Sequence, residues 1–180
     1  MLSSRIVEIP QDVSVEIDGL KVKVKGPLGE LYKDFSHATG QLTIRNIGGK
    51  VAVEVVGKSR RNKLALVGTI AAHIRNMMVG VTKGFTYRLK IVYAHFPMSV
   101  KVKGDYVVIE NFIGERAPRY AKIVGNVKVK IEQDDVVVKG IDIEEVGQTV
   151  ANIENATRVV SRDPRIFLDG IFTYHREVGM

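Results

Sequence analysis

Three short stretches gather cationic side chains in patterns suited to holding phosphate. "GKSRRNK" (57–63) carries Lys58, Arg60, Arg61 and Lys63. "IGERAPRYAK" (113–122) carries Arg116, Arg119 and Lys122 beside Tyr120. "RVVSRDPRIF" (158–167) carries Arg158, Arg162 and Arg165. A guanidinium fork can bind two phosphate oxygens at once, and a tyrosine ring can stack on an unpaired base. Lys101, Lys103 and Arg176 complete the candidate anion contacts. In "GKSRRNK" the cations sit where a helix is predicted to begin. They oppose the helix dipole there, so an external anion would relieve them.

Bond-making chemistry finds little support. Gly57-Lys58-Ser59 looks like the end of a phosphate-binding loop, but Ala52 stands where that motif needs glycine. His37, His73, His95 and His175 lack metal-ligand spacing. Asp134-Asp135 and Glu144-Glu145 read as a turn and a helix start. Neither a nucleophile elbow nor a dinucleotide fingerprint is present. The expectation is no enzyme, no cofactor and no metal.

The chain has 180 residues, 45 % apolar, with no cysteine and a net charge of +7. This composition suits a folded intracellular protein without disulfides. "MLSSRIVEIP" lacks a signal peptide's apolar block, and no apolar run approaches bilayer-spanning length. The basic balance favours anionic partners. Residues 1–83 carry 13 Lys/Arg against 7 Asp/Glu, and 84–180 carry 14 against 13. The second figure hides a segregation: residues 132–145 hold six acids and only Lys139, so the remainder of that half is strongly basic.

The elements that must position these cations are written twice. "VSVEIDGLKVKVKGPLGE" (13–30) returns as "MSVKVKGDYVVIENFIGE" (98–115). An offset of 85 pairs Gly19 with Gly104, Val22 with Val107, Gly29 with Gly114, Glu30 with Glu115, Val51 with Val136 and Val53 with Val138. "VGTIAAHIRN" (67–76) lies over "VGQTVANIEN" (146–155) once six residues are removed from the second copy. A period this long indicates one domain duplicated. Alternating residues predict strands near 13–17, 21–25, 29–35, 41–46 and 50–56. They also predict strands near 85–94, 98–103, 105–110, 121–131 and 135–140. Apolar residues at three- and four-residue steps predict helices near 60–79 and 143–157. Ser59 and Asp142 are the expected N-caps, and Gly80 the expected stop. Lys21, Lys23 and Lys25 read as protection of an exposed strand edge. The predicted class is α+β: two duplicated domains, 1–82 and 83–180, each a small antiparallel sheet packed on one helix. The tail 158–180 has no counterpart in the first copy. It is a candidate for a function the first copy lacks, though a tail also serves simply to close a core.

The chain resembles the large-subunit ribosomal protein six family, in its archaeal and eukaryotic branch. "IPQDVSVEIDGLKVKVKGPLGEL" (9–31), with its "VKGPLGEL", is similar to that family's opening. "NKLALVGTIAAHIRNMMVGVTKGFTYRLKIVYAHFP" (62–97) is similar to its first helix and crossover. "RIFLDGIF" (165–172) resembles its C-terminal signature, with Phe172 where tyrosine is common. The resemblance implies a non-catalytic, cytoplasmic component of the large subunit, one copy per ribosome and not a homo-oligomer. It implies rRNA contacts chiefly through the second domain, near the sarcin–ricin loop where translational GTPases dock, with neighbouring ribosomal proteins as further partners. It makes rRNA the expected partner of Arg116, Arg119, Lys122, Arg158, Arg162 and Arg165.

Two rival readings use the same residues. A peripheral membrane protein would use the charge, but no predicted helix joins a basic face to bulky aromatics. A protein scaffold would use the acidic stretch 132–145 against a basic partner.

Overall fold

In the computed structural model, residues 4–58, 60–160, 162–163 and 165–180 are described. The chain divides into two compact units, Met1–Lys83 and Gly84–Met180. The first contains β1 (Ser4–Glu8), β2 (Ser14–Asp18), β3 (Lys21–Gly26), β4 (Gly29–Asp34), β5 (Leu42–Ile47), β6 (Lys50–Val55) and α1 (Arg61–Thr82). Its strands form two antiparallel sheets, ordered β1-β6-β5 and β2-β3-β4. The second unit repeats this order with β7 (Phe85–Val92), β8 (Ser99–Lys103), β9 (Tyr106–Glu110), β10 (Arg119–Lys122), β11 (Lys128–Glu132), β12 (Asp135–Gly140) and α2 (Ile143–Ala156). It then adds β13 (Gly170–Val178), giving sheets ordered β11-β12-β7-β13 and β10-β9-β8. The α+β class is as expected, with the strands of each unit shared between two sheets.

Alternation explains the packing. Val22 and Val24 of β3 are fully buried, with Val51 and Val53 of β6, against Val67, Ile70, Ile74 and Met78 of α1. Burying each such side chain is worth about 1.5–3 kcal/mol. In the second unit Val107 and Ile109 of β9, with Val136 and Val138 of β12, meet Val146, Val150 and Ile153 of α2. The aligned helix residues Val67/Val146, Ala71/Val150 and Ile74/Ile153 are buried in both copies.

Several expectations are corrected. The first helix passes through Gly80 and ends at Thr82, and Gly84 takes the positive φ of +74°. Ser59 lies outside the described residues. Arg60 occupies the N-cap position without a side-chain cap bond. By length and composition α1 is apolar enough to cross a membrane, contrary to the sequence expectation, and its apolar residues form the core of the first unit. The lysines of β3 do not guard an edge, because β3 is the central strand of its sheet. They face acids across the rungs: Lys23 is opposite Glu16 and Lys25 is opposite Glu30, while Lys23 pairs with the Glu30 carboxylate at 3.0 Å. β1 was not expected. The tail contributes β13, which pairs along β7 and buries Ile171, so it closes a core.

The constant offset also breaks locally. Val24 sits opposite Leu31, but its counterpart Ile109 sits opposite Arg119, three residues beyond the position an offset of 85 predicts. Gly29 closes the tight β3–β4 hairpin, whereas Gly114 lies in the longer β9–β10 loop. Their match in sequence is therefore not a match in structure. A single 3-10 turn (Ser36–Ala38) sits between β4 and β5, where the second unit has a shorter connection. The offset is restored by β6 and β12.

Two glycines of the first unit should respond in opposite directions. A Cβ on Gly26 would come within 2.7 Å of Val81 Cγ2 and 2.9 Å of the Val81 carbonyl oxygen. Gly26→Ala is expected to cost about 1–3 kcal/mol by overpacking. A Cβ on Gly68, inside α1, meets nothing within 4 Å. Gly68→Ala is expected to gain about 0.5–1 kcal/mol from helix propensity. Urea denaturation of the two variants checks both signs.

Candidate nucleic-acid interface

The sheet β10-β9-β8 turns one face inward through Val107, Ile109 and Ala121. Period-two alternation then sends the intervening residues to the other face. One rung reads Lys103–Tyr106–Lys122, and the next reads Lys101–Val108–Tyr120. Strand pairing thus gathers Lys101, Lys103, Tyr120 and Lys122, which are distant in sequence, on one surface. Tyr106, which the sequence reading passed over, joins them. Its signal was the strand period itself, since residues two apart on a strand share a face and Tyr106 is two residues from Val108. The Tyr106 and Tyr120 rings meet edge to face, with centroids 6.3 Å apart and planes at 89°. Tyr120 is 61 % exposed. Lys101 also pairs with Glu110 at 2.8 Å, which holds that carboxyl below its usual range.

The loop between β9 and β10 is held in a set shape. Asn111 and Ile113 have φ of 60° and 51°, and Gly114 follows at 76°. A left-handed β-branched residue costs about 1–2 kcal/mol, so neighbours must fix it. Phe112 anchors the loop in the core, the Asn111 side chain donates to the Pro97 carbonyl at 2.9 Å, and the Phe96 ring packs on Gly114.

Arg119 does not present a free fork. Its Nε and Nη2 donate to the two oxygens of Glu115 at 2.7 and 2.6 Å. Its Nη1 donates to the carbonyls of Ala156 at 2.8 Å and Arg158 at 3.3 Å, and its guanidinium lies 4.4 Å from the Phe112 ring centre. These bonds hold the Glu115 carboxyl below its usual range, against the opposing effect of burial. The expected phosphate ligand is thus a strut joining the loop to the end of α2. It sets the place of Arg116, which is exposed on the loop, and of Arg158, exposed beyond the helix. Arg162 is near enough to Glu115 to lower its pKa further.

A second anchor was missed by sequence reasoning. Asp169 is 2 % exposed. Its Oδ1 accepts from the backbone N–H groups of Ala94 and His95 at 2.9 and 3.2 Å, and its Oδ2 accepts from His95 Nδ1 at 2.7 Å. A carboxylate only accepts, so the His95 proton is on Nδ1. The His95 ring stacks on Phe167 with centroids 4.6 Å apart, and the Arg162 guanidinium lies 4.7 Å from the same ring centre. Asp169 therefore fastens the segment that carries Arg162 and Arg165 to the turn after β7. The available signal was Asp169 itself, an acid in an otherwise apolar "FLDGIF" run. Arg165 is highly exposed and lies 3.4 Å from Asp163.

The remaining candidates stand apart. Arg176, on β13, lies over the Tyr87 ring at 5.4 Å. Arg60, Arg61 and Lys63 belong to the first unit, where α1 has no acid in its first turn and Lys63 reaches back to the Val56 carbonyl at 2.8 Å. The acids of 132–145 largely serve the fold. Glu132 pairs with Lys130, and Asp135 pairs with Lys90 and accepts from the Tyr174 hydroxyl. Asp142 caps α2 through the Glu144 N–H, and Glu145 accepts from the Asn126 N–H.

Burial raises the Asp169 pKa, but the bonds from Ala94 and His95 outweigh it and the net shift is downward. A lowered folded-state pKa gives stability that is present above the unfolded value and lost as pH falls through the folded one. Asp169→Asn should cost about 1.5–3 kcal/mol at neutral pH by breaking the charge-assisted bond to His95. Its deficit against the parent chain should begin to shrink as pH drops below the ordinary carboxylate value of about 4, where Asp169 of the unfolded chain protonates, and should vanish only below the lower folded-state value. Denaturation curves across that range check the trend.

Comparison with known proteins places the whole chain in one family. A family profile described as Ribosomal protein L6 matches residues 9–84 and 96–170, one stretch in each unit. The large ribosomal subunit protein uL6 of Ignicoccus hospitalis is 54 % identical over 176 residues, covering 96 % of this chain and 94 % of its own. Its namesake in Aeropyrum pernix is 55 % identical over 172 residues, covering 96 % and 93 %. That of Methanosphaera stadtmanae is 54 % identical over 170 residues, covering 94 % and 91 %. With both units matched and this identity sustained along nearly the whole length, the chain belongs to the ribosomal protein L6 family, in its archaeal type.

Proposed function

We propose that the chain is a structural, non-enzymatic component of the large ribosomal subunit, located in the cytoplasm and binding rRNA mainly through its second unit. The observation that carries the reading is the outer face of β10-β9-β8, where Lys101, Lys103 and Lys122 surround Tyr106 and Tyr120. The cations neutralise phosphates, and the rings offer stacking surfaces for unpaired bases. Arg116, Arg158 and Arg162 extend the basic surface from the loop and the segment after α2. In this reading the protein sits near the sarcin–ricin loop where translational GTPases dock, in one copy per ribosome, beside neighbouring ribosomal proteins. Its role is to hold converging RNA helices together by lowering their mutual repulsion. The protein-scaffold alternative loses ground because most acids of 132–145 already have partners within the chain.

Salt-dependent binding to large-subunit rRNA tests this. Arg116→Gln and Lys122→Gln should each weaken binding and reduce the slope of log K against log salt by about one. Arg119→Gln should weaken binding with the slope unchanged, because it positions cations without meeting phosphate. It should also lower stability by about 1.5–3 kcal/mol. Unchanged affinity in both Arg116→Gln and Lys122→Gln would remove the proposed surface from consideration.

A further inference from the structure

Beside the basic surface lies an open groove of 470 Å³, between the C-terminal end of α2 and the start of β13. Its volume falls within the range of about 300–1,000 Å³ typical of small-ligand pockets. Val159, Phe167, Leu168 and Phe172 give it apolar walls, and Asn155 and Arg158 give it polar ones. Phe172, on the exposed face of β13, is 52 % exposed. Its ring tip is laid over Gly170, where any Cβ would come within 2.7 Å of Cζ. The backbone beneath is fixed: the Ile171 N–H donates to Thr157 Oγ1 at 3.0 Å, and the Thr173 N–H and hydroxyl donate to Glu154 Oε1 at 2.9 and 2.7 Å. An aromatic ring thus rests against Gly170 at the solvent boundary, on a strand whose backbone is fixed on either side of it. A ring so held is a platform for another flat, apolar surface with a polar edge.

We propose that this groove receives one unpaired nucleobase of the bound RNA, stacked on Phe172. The Asn155 carboxamide would meet the polar edge of the base, and the Arg158 guanidinium its phosphate. The inference rests on the rRNA-binding reading above and adds a site to it. The charge around the groove selects the occupant. Arg158 lines it, while Arg162 and Arg165 lie on the segment leading into it, so a polyanion is drawn to its mouth. The carboxylates that line the groove are both engaged, Glu154 with Thr173 and Asp169 with Ala94 and His95. They therefore do not call for a cationic partner.

The test uses the full chain and large-subunit rRNA, with Phe172→Leu, Phe172→Ala and Phe172→Tyr compared in filter binding across salt. Thermal unfolding is run on each variant. The leucine and alanine variants are expected to lose about tenfold or more in affinity, with an unchanged salt slope, because stacking releases no counterions. The tyrosine variant keeps the ring and should bind like the parent. Chemical probing of the RNA should show a base protected by the parent and by Phe172→Tyr but exposed with Phe172→Leu. Parent-like binding and probing by a folded Phe172→Leu overturns the groove while leaving the rRNA-binding reading intact. No binding by the parent chain overturns both. Parent-like rRNA binding with defective incorporation into subunits assigns the groove to a protein neighbour and also overturns the proposal.

Discussion

The guanidinium of Arg119 holds the second unit's basic surface in one piece. It makes two bonds to Glu115, two to carbonyls at the end of α2, and rests on Phe112. Carbonyls at a helix C-terminus lack intrahelical donors and carry partial negative charge, so a cation is well matched to them. The same group neutralises Glu115, which would otherwise repel a polyanion beside Arg116. Phe112, Asn111 and Phe96 hold the left-handed turn of the loop, and the Arg119 strut adds the link between that loop and the end of α2. Charge at the interface is therefore of two kinds. Arg119 is directed inward and fixes geometry, while Arg116 and Arg158 are left exposed.

The two units show what duplication preserves. Sheet order, the buried valines of β3, β6, β9 and β12, and the buried face of each helix are common to both. The differences are confined to connections: the longer β9–β10 loop, the shorter link after β10, and the added β13. Cores tolerate little change in volume, whereas surface loops accept insertions at small entropic cost. The β9–β10 loop and the segment between α2 and β13, both unlike anything in the first unit, carry Arg116, Arg158 and Arg162.

Much of the fold was legible because two periods dominate the chain. Val22 and Val24 between lysines, or Val146, Val150 and Ile153 at helical steps, leave few alternatives. β13 was not legible for a physical reason: Gly170–Val178 buries only its first two residues and carries a bulge between Thr173 and His175, so no alternation survives. The position of Lys21, Lys23 and Lys25 on a central strand depends on pairing, which composition does not encode. For the site, the residue types were readable and their duties were not. Arg116, in the β9–β10 loop, and Arg119, the first residue of β10, stand three apart. One is outward and one inward because of carbonyls nearly forty residues downstream. Tyr106 and Asp169 carry signals of alternation and of an isolated acid, but both signals acquire meaning only once the strands are paired.

The pairing of β13 with β7 brings residue 178 opposite residue 85, and the Gly179 N–H donates to the Gly84 carbonyl at 2.9 Å. A growing polypeptide emerges from its N-terminal side, and domains fold as units during synthesis. The first unit draws its core from residues 7–81, so it can consolidate while the remainder is still being translated. The second cannot zip its outermost strand until some ninety residues later, when residue 178 is free of the exit tunnel. Until then β7 has a bare flank and Ile91 and Leu89 lack their cover. For this half of the molecule, the strand that completes the sheet is the last translated of those that build it.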